Sequence, residues 1–456
     1  MATVAGDRRF DVAAFIDARP IGGREIAMLV ISSVILFIDG FDMYFLGKIA
    51  PAVARGLGGK PADMTAVFTW QQIGLAAGAF LMPPLADRFG RRPTLAICLC
   101  GFGLLSLSSA FVANLSQLTV LRGISGLFLA GAFPIGLTLL SEMTPLRMRS
   151  PFMAISLVFL SGGNIASGGV AAWLLDLYGW QVGFYLAGLL PLLALPLLLA
   201  VPESLAFRVA RDPHDPRIGR LIRRMDAAVL LTGSERFHLG AKEEESTVRS
   251  GPSAILSRRY LLQTLVLWGA CFLSLGNIAL LSNWLPTYFQ ELGGVPIQQF
   301  AKFLMIGFIG GAIGTLTMGW FMARVNSYWL ICGFYLLYAV AVAALGWLPF
   351  GTGVFIVALL AWNFAQVGGQ TGLNTLATLG YPPEMRSSGM GWASGIGRIG
   401  GIAFAFAGGK ALGAGLPLPT MMLLVAVPCL VVTALIAILG LGEKRQAAAE
   451  GSPTAA

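Results

Sequence analysis

Charge is scarce in this 456-residue chain: 12% of residues are Asp, Glu, Lys or Arg, while 56% are hydrophobic. Soluble globular domains run near one quarter charged, so a soluble fold is excluded at the outset. Histidine is scarcer still. His214 and His238 both lie in a central polar segment, which leaves no membrane-embedded imidazole to relay protons or bind metal. The five cysteines (Cys98, Cys100, Cys271, Cys332, Cys429) all lie in apolar runs. Cys98 and Cys100 are two apart, about 200° around a helix, so a packing role is expected, with no metal site and no cofactor. The first 25 residues lack the short apolar stretch and small-residue cleavage site of a secretory signal. They carry Asp7, Arg8, Arg9, Asp11, Asp17, Arg19, Arg24 and Glu25 instead, and are expected to be a retained cytosolic tail.

What the chain does have is apolar length. Mean hydropathy is +0.76. A membrane-spanning helix needs roughly 20 mostly apolar residues, so there is room for about a dozen. Windows of that length recur at about 26–50, 66–86, 93–113, 116–140, 152–175 and 180–201, and again at about 260–288, 299–323, 328–348, 352–379, 388–410 and 418–441. Between the two sets lies a polar stretch with RDPHDPRIGRLIRRMD and KEEESTVRSGP, which predicts an amphipathic cytosolic linker. The two sets also repeat. Ile73-Gly74 with Gly78 matches Ile309-Gly310 with Gly314, 236 residues later. Pro145…Met148-Arg149-Ser150 matches Pro382…Met385-Arg386-Ser387, 237 later. Two parallel six-span halves are the layout of a duplicated transporter. The expected fold is therefore an all-α membrane protein with twelve transmembrane helices in two pseudo-symmetric six-helix bundles. Its parts are a tail (1–25), a first bundle (26–202), the linker (203–258), a second bundle (259–441) and a C-terminal tail (442–456).

The net charge of +9 is a matter of placement. Most basic residues fall in the tails and alternate loops: four in the N-terminal tail, Arg88, Arg91 and Arg92 after span two, Arg147 and Arg149 after span four, and eleven between 208 and 259. Arg324, Arg386, Lys444 and Arg445 follow the same alternation. That is the positive-inside pattern, which puts both termini in the cytoplasm and makes the basic excess a topology signal, not a nucleic-acid footprint.

Charges inside spans need an explanation. Asp39 and Asp42 in span one, Arg122 in span four and Arg398 in span eleven together cost on the order of 10 kcal/mol to insert before pairing. Partners, cavity water or protonation must offset that. Asp39 and Asp42 are three apart and share a helix face. Mutual repulsion and low dielectric favour keeping a proton on one of them, as ion coupling requires. The bland alternative is two permanent anions pairing with Arg122 and Arg398. The arginines are fixed positive charges, able to hold a substrate carboxylate bidentately or simply to balance an aspartate. At 1.5 Å per residue, Arg398 lies about 15 Å and Asp39 about 20 Å from the inner end, and Arg122 lies in the outer third. Lys48, near the expected outer end of span one, is expected to snorkel to the headgroups. Span ten carries Asn363, Gln366, Gln370 and Asn374. The last three step by four along one face, suited to a cavity wall or to interhelical hydrogen bonds. Asn164, Asn277 and Asn283 are weaker candidates of that kind. Tyr44, Phe41, Trp70, Trp284 and Trp392 read as packing or interface aromatics, with Tyr44 the one carried forward as a substrate contact. Runs such as GISGLFLAG, SGGNIASGG and GMGWASGIGRIGG allow close helix approach, static or sliding.

On these residues the chain resembles the major facilitator superfamily, and within it the aromatic acid:proton symporter branch. Leu85-Ala86-Asp87-Arg88-Phe89-Gly90-Arg91-Arg92 is similar to the superfamily signature after span two, with Pro83 in place of its first glycine. The repeat copy, Gly319-Trp320-Phe321-Met322-Ala323-Arg324, lacks the acidic residue. Arg122-Gly123 with Gly126, and Pro202-Glu203-Ser204, resemble further superfamily elements. Branch-level similarity rests on Ile16-Asp17-Ala18-Arg19-Pro20, on Asp39-Gly40-Phe41-Asp42 followed by Ala50-Pro51, and on Trp284-Leu285-Pro286-Thr287. It rests also on Tyr381-Pro382…Arg386…Gly389…Gly391-Trp392 with Gly395-Ile396-Gly397-Arg398.

The resemblance implies proton coupling at Asp39 and Asp42. It also implies a cytoplasmic gate at Asp87, Arg88 and Arg91, to which Arg147, Arg149 and Arg386 are added, with Asp87 expected to pair across to Arg147 or Arg149. Span five has Ala166-Ser167 before Gly168 where proton-antiport drug exporters carry Gly-Pro, which favours uptake. The expected function is proton-coupled uptake of a small organic, aromatic carboxylate across the inner membrane. The anion is expected near Arg398, Arg122, Tyr44, Gln366, Gln370 and Asn374, and the working unit is expected to be a monomer in the bilayer, without nucleic acid. The rivals are an efflux antiporter for drugs or metabolites and, less well supported, a membrane enzyme or sensor.

Overall fold

The computed structural model describes residues 9–226, 229, 231, 235–239, 255–322, 324–382 and 385–449. Parts of the expected linker and of both tails lie outside them. Among the described residues are twelve long helices. Spans one to six are Gly23–Gly56, Met64–Phe89, Arg91–Ser108, Leu115–Met143, Leu146–Gly169 and Gln181–Ala200. Spans seven to twelve are Leu261–Glu291, Ile297–Met322, Ser327–Leu345, Gly353–Leu379, Arg386–Gly413 and Leu418–Ala449. Ten are long and apolar enough to cross a membrane. The two that fall short in apolarity are spans two and eleven, and these pack on each other across the middle of the molecule. Their polarity is thus directed inward, where lipid does not reach.

Within each half the same helices pair: one with five, two with four and three with six, mirrored by seven with eleven, eight with ten and nine with twelve. Glycine makes these pairings close. A Cβ on Gly74 would lie 2.0 Å from the Gly123 carbonyl oxygen, and one on Gly310 2.3 Å from that of Leu360. The equivalent atoms on Gly40 and Gly163 would meet Leu160 O and Phe37 O at 2.0 Å each. In the second half Gly400 meets Phe272 O at 2.0 Å and Gly276 meets the Phe404 ring at 2.7 Å. Gly276 and Gly400 stand 236 and 237 residues after Gly40 and Gly163, so the offset seen at Gly74 and Gly310 extends to a second helix pair.

The halves meet where span one packs on seven, five on eight and two on eleven. A Cβ on Gly47 would lie 2.2 Å from Ser282 O, and one on Gly409 1.7 Å from Thr65 Oγ1. On the face away from the termini, Arg55 pairs with Glu291, and Gln298 Nε2 donates to Asp176 Oδ1 at 2.6 Å. Both links join one half to the other.

The tail and linker, expected as separate segments, share a small apolar core. Strand Arg9–Asp11 pairs in parallel with Arg236–His238. Helix Val12–Ala18 packs Val12 and Ile16 against Leu205, Val209, Ile218, Ile222 and Phe237. Two of the recognised motifs tie this unit to the first half. Asp17 accepts from the Leu146 N–H at the start of span five (2.8 Å), and Glu203 accepts from the Arg91 and Arg92 N–H groups at the start of span three (3.2 Å each). Both carboxylates sit where a helix N-terminus favours negative charge. Gly90, at φ +112°, shapes the turn that presents those N–H groups, and a Cβ there would press on Glu203 Oε2 at 2.3 Å.

Gly74→Ala and Gly310→Ala should each destabilise the protein by about 1–3 kcal/mol, the usual penalty for overpacking. Gly333→Ala, whose Cβ meets open space, should be neutral or slightly stabilising. Melting curves of the detergent-purified variants test this; three equal midpoints would rule out backbone-close packing of spans two and four, and eight and ten.

Candidate functional site

The two aspartates of span one have different surroundings. Asp42 Oδ2 accepts from Arg122 at 2.6 Å, and both side chains are wholly buried. Arg122 also reaches Ser106 Oγ at 3.3 Å and stands over the Phe184 ring at 5.7 Å. Asp42 Oδ1 and Arg122 Nε have no hydrogen-bond partner among the described residues. The pair is an internal neutralisation of the first half. Asp39, 9% exposed, has no ion pair within 4 Å among the described residues. It lies within electrostatic range of Asp42 and of Arg398, which span eleven brings from the second half.

Between the halves lies a cavity of about 160 Å³, lined by spans one, five, seven, eight and ten. A water molecule occupies roughly 30 Å³, so the space suits one small molecule, not a peptide. Of the predicted substrate contacts, Tyr44 and Gln366 line it. The span-ten stripe divides. Gln366 faces the cavity and donates to Tyr338 Oη (2.9 Å), whereas Gln370 accepts from Ser274 (2.6 Å) and donates to Asn374 (2.9 Å). Those last two amides are spent on interhelical and local bonds. Arg122 and Arg398 are not among the residues lining this cavity.

Lys48 corrects the expectation of snorkelling: it is 2% exposed and lines the cavity. Its ammonium donates to Asn164 O (2.6 Å), Asn164 Oδ1 (2.8 Å) and Ser167 Oγ (2.6 Å), and lies 5.2 Å from the Phe308 ring centre. The physical reason is helix length. Span one runs to Gly56, six residues past its expected end, which sinks Lys48 about 9 Å deeper. The Arg at 55 and the polar loop beyond it were the available signal; the apolar window simply stopped too early. Asn363, named with the span-ten amides, also lines the cavity, with Nδ2 unpartnered among the described residues.

Among the described residues, the bonds that Asp87, Arg91, Arg147 and Arg386 of the expected gate make do not reach the other half. Asp87, 64% exposed, pairs with Arg91 at 2.8 Å, not with Arg147 or Arg149, because i,i+4 spacing across the span-two end puts Arg91 nearer. Arg91 continues to Glu142 (3.3 Å), Arg88 covers the Phe89 ring (5.4 Å), and Arg147 donates to Arg19 O (2.6 Å). Arg149 is half-buried near the start of span five, and Arg386 donates to Tyr381 O (3.2 Å).

Comparison with known proteins gives a consistent picture. Residues 32–405 match the Major Facilitator Superfamily. The chain is 37% identical to a gallate transporter of Pseudomonas putida, covering 96% of each chain. It is 35% identical to a 4-hydroxybenzoate transporter of Pseudomonas aeruginosa, covering 95% of this chain and 96% of that one. Its fold superposes on the xylose transporter XylE of E. coli, in a partially occluded inward open conformation, with a TM-score of 0.67 at 13% identity, covering 92% and 97% of the two chains.

Removing one member of the buried Asp42–Arg122 pair strands a charge, which costs about 3–5 kcal/mol. Arg122→Gln should therefore lose most folded protein on purification, and Arg122→Gln with Asp42→Asn should recover a good part of it. A melting point for Arg122→Gln equal to that of the unaltered protein would show that the pair is dispensable.

Proposed function

The chain belongs to the Major Facilitator Superfamily, whose members are transporters and not enzymes, and from that premise we propose that it takes up a small aromatic carboxylate together with protons by alternating access. Relatives named for gallate and 4-hydroxybenzoate, similar over nearly their whole length, support the substrate class. A cavity sized for one small molecule and faced by Tyr44, Phe308 and Trp362 supports it as well.

One observation carries the coupling: Asp42 is neutralised by Arg122 inside the first half, while Asp39 faces a cation that belongs to the other half. A charge attraction between the halves that a proton can switch off is what a proton-driven rocker needs. With Asp39 ionised, its attraction to Arg398 biases how the halves sit; with Asp39 protonated, that attraction is gone. Asp42 then serves to hold Arg122 and set the local field, and its own proton exchange is not required.

The distribution of basic residues supports a reading in which both termini lie in the cytoplasm of an inner-membrane protein. In that orientation Arg55–Glu291 and Asp176–Gln298 close the outer face. Asp87, Arg88, Arg91, Arg147, Arg149 and Arg386 then form the cytoplasmic gate, their bonds within each half being the arrangement of the state with the outer face shut. The protein works as a monomer, each copy holding a complete cavity.

Vesicles loaded to give an inward proton gradient test the reading with labelled 4-hydroxybenzoate and gallate. Accumulation should be abolished by a protonophore, and an outward flux driven by the same gradient would identify an efflux antiporter instead. Asp39→Asn should abolish gradient-driven accumulation yet keep exchange of labelled for unlabelled acid within a few-fold of the unaltered protein. Full accumulation by Asp39→Asn would remove the coupling role.

A further inference from the structure

Lys48 is a buried cation that the coupling scheme does not use. Its Nζ lies within hydrogen-bond distance of Asn164 O, Asn164 Oδ1 and Ser167 Oγ, a set of three acceptors that matches the three donors of an ammonium. Ser167 Oγ donates its hydrogen bond to Asn164 O (2.7 Å), leaving a lone pair for the lysine. All three acceptors are neutral. No acidic residue lines the cavity, and Lys48 forms no ion pair within 4 Å among the described residues. A buried positive charge at a cavity wall whose protein partners are all neutral favours an anionic ligand. The other deep cations are engaged elsewhere: Arg122 with Asp42, and Arg398 in the field of Asp39.

We propose that Lys48 is the residue on which the carboxylate of the transported acid docks, and that Asn363, across the cavity, selects an acid whose ring carries hydrogen-bonding substituents. This rests on the transport reading only in taking the ligand to be the cargo. The carboxylate exchanges for the Asn164 side-chain oxygen, which itself lines the cavity, and the freed amide can turn its Nδ2 toward the anion. The ring then lies against Phe308, whose face already meets the ammonium at 5.2 Å. Asn363 is 1% exposed and its Nδ2 is an unpaired donor, so a ring hydroxyl oxygen satisfies it where a bare ring leaves it stranded. Lys48, Asn164 and Ser167 belong to the first half, and Phe308, Asn363 and Gln366 to the second. A ligand held at both ends therefore bridges the two bodies that must move together.

Purified full-length protein in detergent, titrated with benzoate and its mono-, di- and trihydroxylated forms and with the matching benzamides, tests this by calorimetry. The unaltered protein should bind each carboxylate at least about tenfold tighter than its amide, the scale of a charge-assisted bond. Lys48→Gln and Lys48→Met should erase that preference, and Lys48→Arg should keep part of it. Asn363→Leu should keep the carboxylate preference and flatten the dependence on ring hydroxyls. The assignment is overturned if the unaltered protein does not distinguish acid from amide, binds none of the panel, or loses nothing in Lys48→Gln. The first of these needs no variant to fold. Because no proton gradient is involved, failure here leaves the Asp39 reading standing, and normal discrimination without vesicle accumulation does the reverse.

Discussion

Hydrocarbon offers no water to an ion, and the arrangement of deep charges in this protein follows from that constraint. Five Asp, Lys and Arg side chains among the described residues sit deep in the spans, and they meet the constraint in three ways. Asp42 and Arg122 cancel within one half and are sealed from solvent. Asp39 and Arg398 balance across the interface at longer range. Lys48 is hydrated, in effect, by a carbonyl, an amide and a hydroxyl. Only the last two arrangements can change without unfolding a half, and both lie where the halves face each other.

Glycine sets the mechanical frame for those charges. Because the paired helices within a half touch backbone to backbone, a half has little room to deform. The contacts between halves are fewer in kind. They include the Gly47–Ser282 approach one residue before Lys48, the span two–eleven seam, and a pair of polar links at one face. The span-two glycines and their span-eight copies show that the frame was laid down twice; the charges were not. The second half has no counterpart of the Asp39–Asp42 pair at the matching positions 275 and 278, which are Leu275 and Ile278. The repeat is carried by the packing glycines and not by the deep acidic pair, which belongs to the first half alone.

Much of this was legible in the sequence. Twelve apolar windows, the 236-residue repeat and the motif set led to the right architecture, since hydrophobic length and close-packing glycines are local properties of the chain. Glu203 and Asp17 were recognised as motif members, but their work as caps on spans three and five depends on distant turns that no window reveals. The division of the span-ten stripe was hidden for the same reason: four-residue spacing gives a face, and the neighbours Ser274 and Tyr338 decide which part of it meets the cavity. Lys48 was misplaced by a boundary error of six residues, which for a charge is the difference between headgroup and core.

The position of Lys48 also bears on how cargo and proton are kept together. Lys48 and Asp39 are nine residues apart on one helix, about 14 Å along its axis. At an effective dielectric near 20, a unit charge at that range acts on another with about 1 kcal/mol. By that reckoning the two sites feel one another weakly and without contact. On the proposed docking, a carboxylate on Lys48 would cancel that interaction. By reciprocity any such coupling would act equally in both directions, and about 1 kcal/mol corresponds to roughly fivefold in affinity, within the usual range of coupling energies between sites. A proton arriving alone would leave the core with two uncompensated cations, Lys48 and Arg398, in a low-dielectric interior. If Lys48 docks the cargo as proposed, the arrangement disfavours a proton crossing without cargo through electrostatics alone, with no direct contact between the two sites.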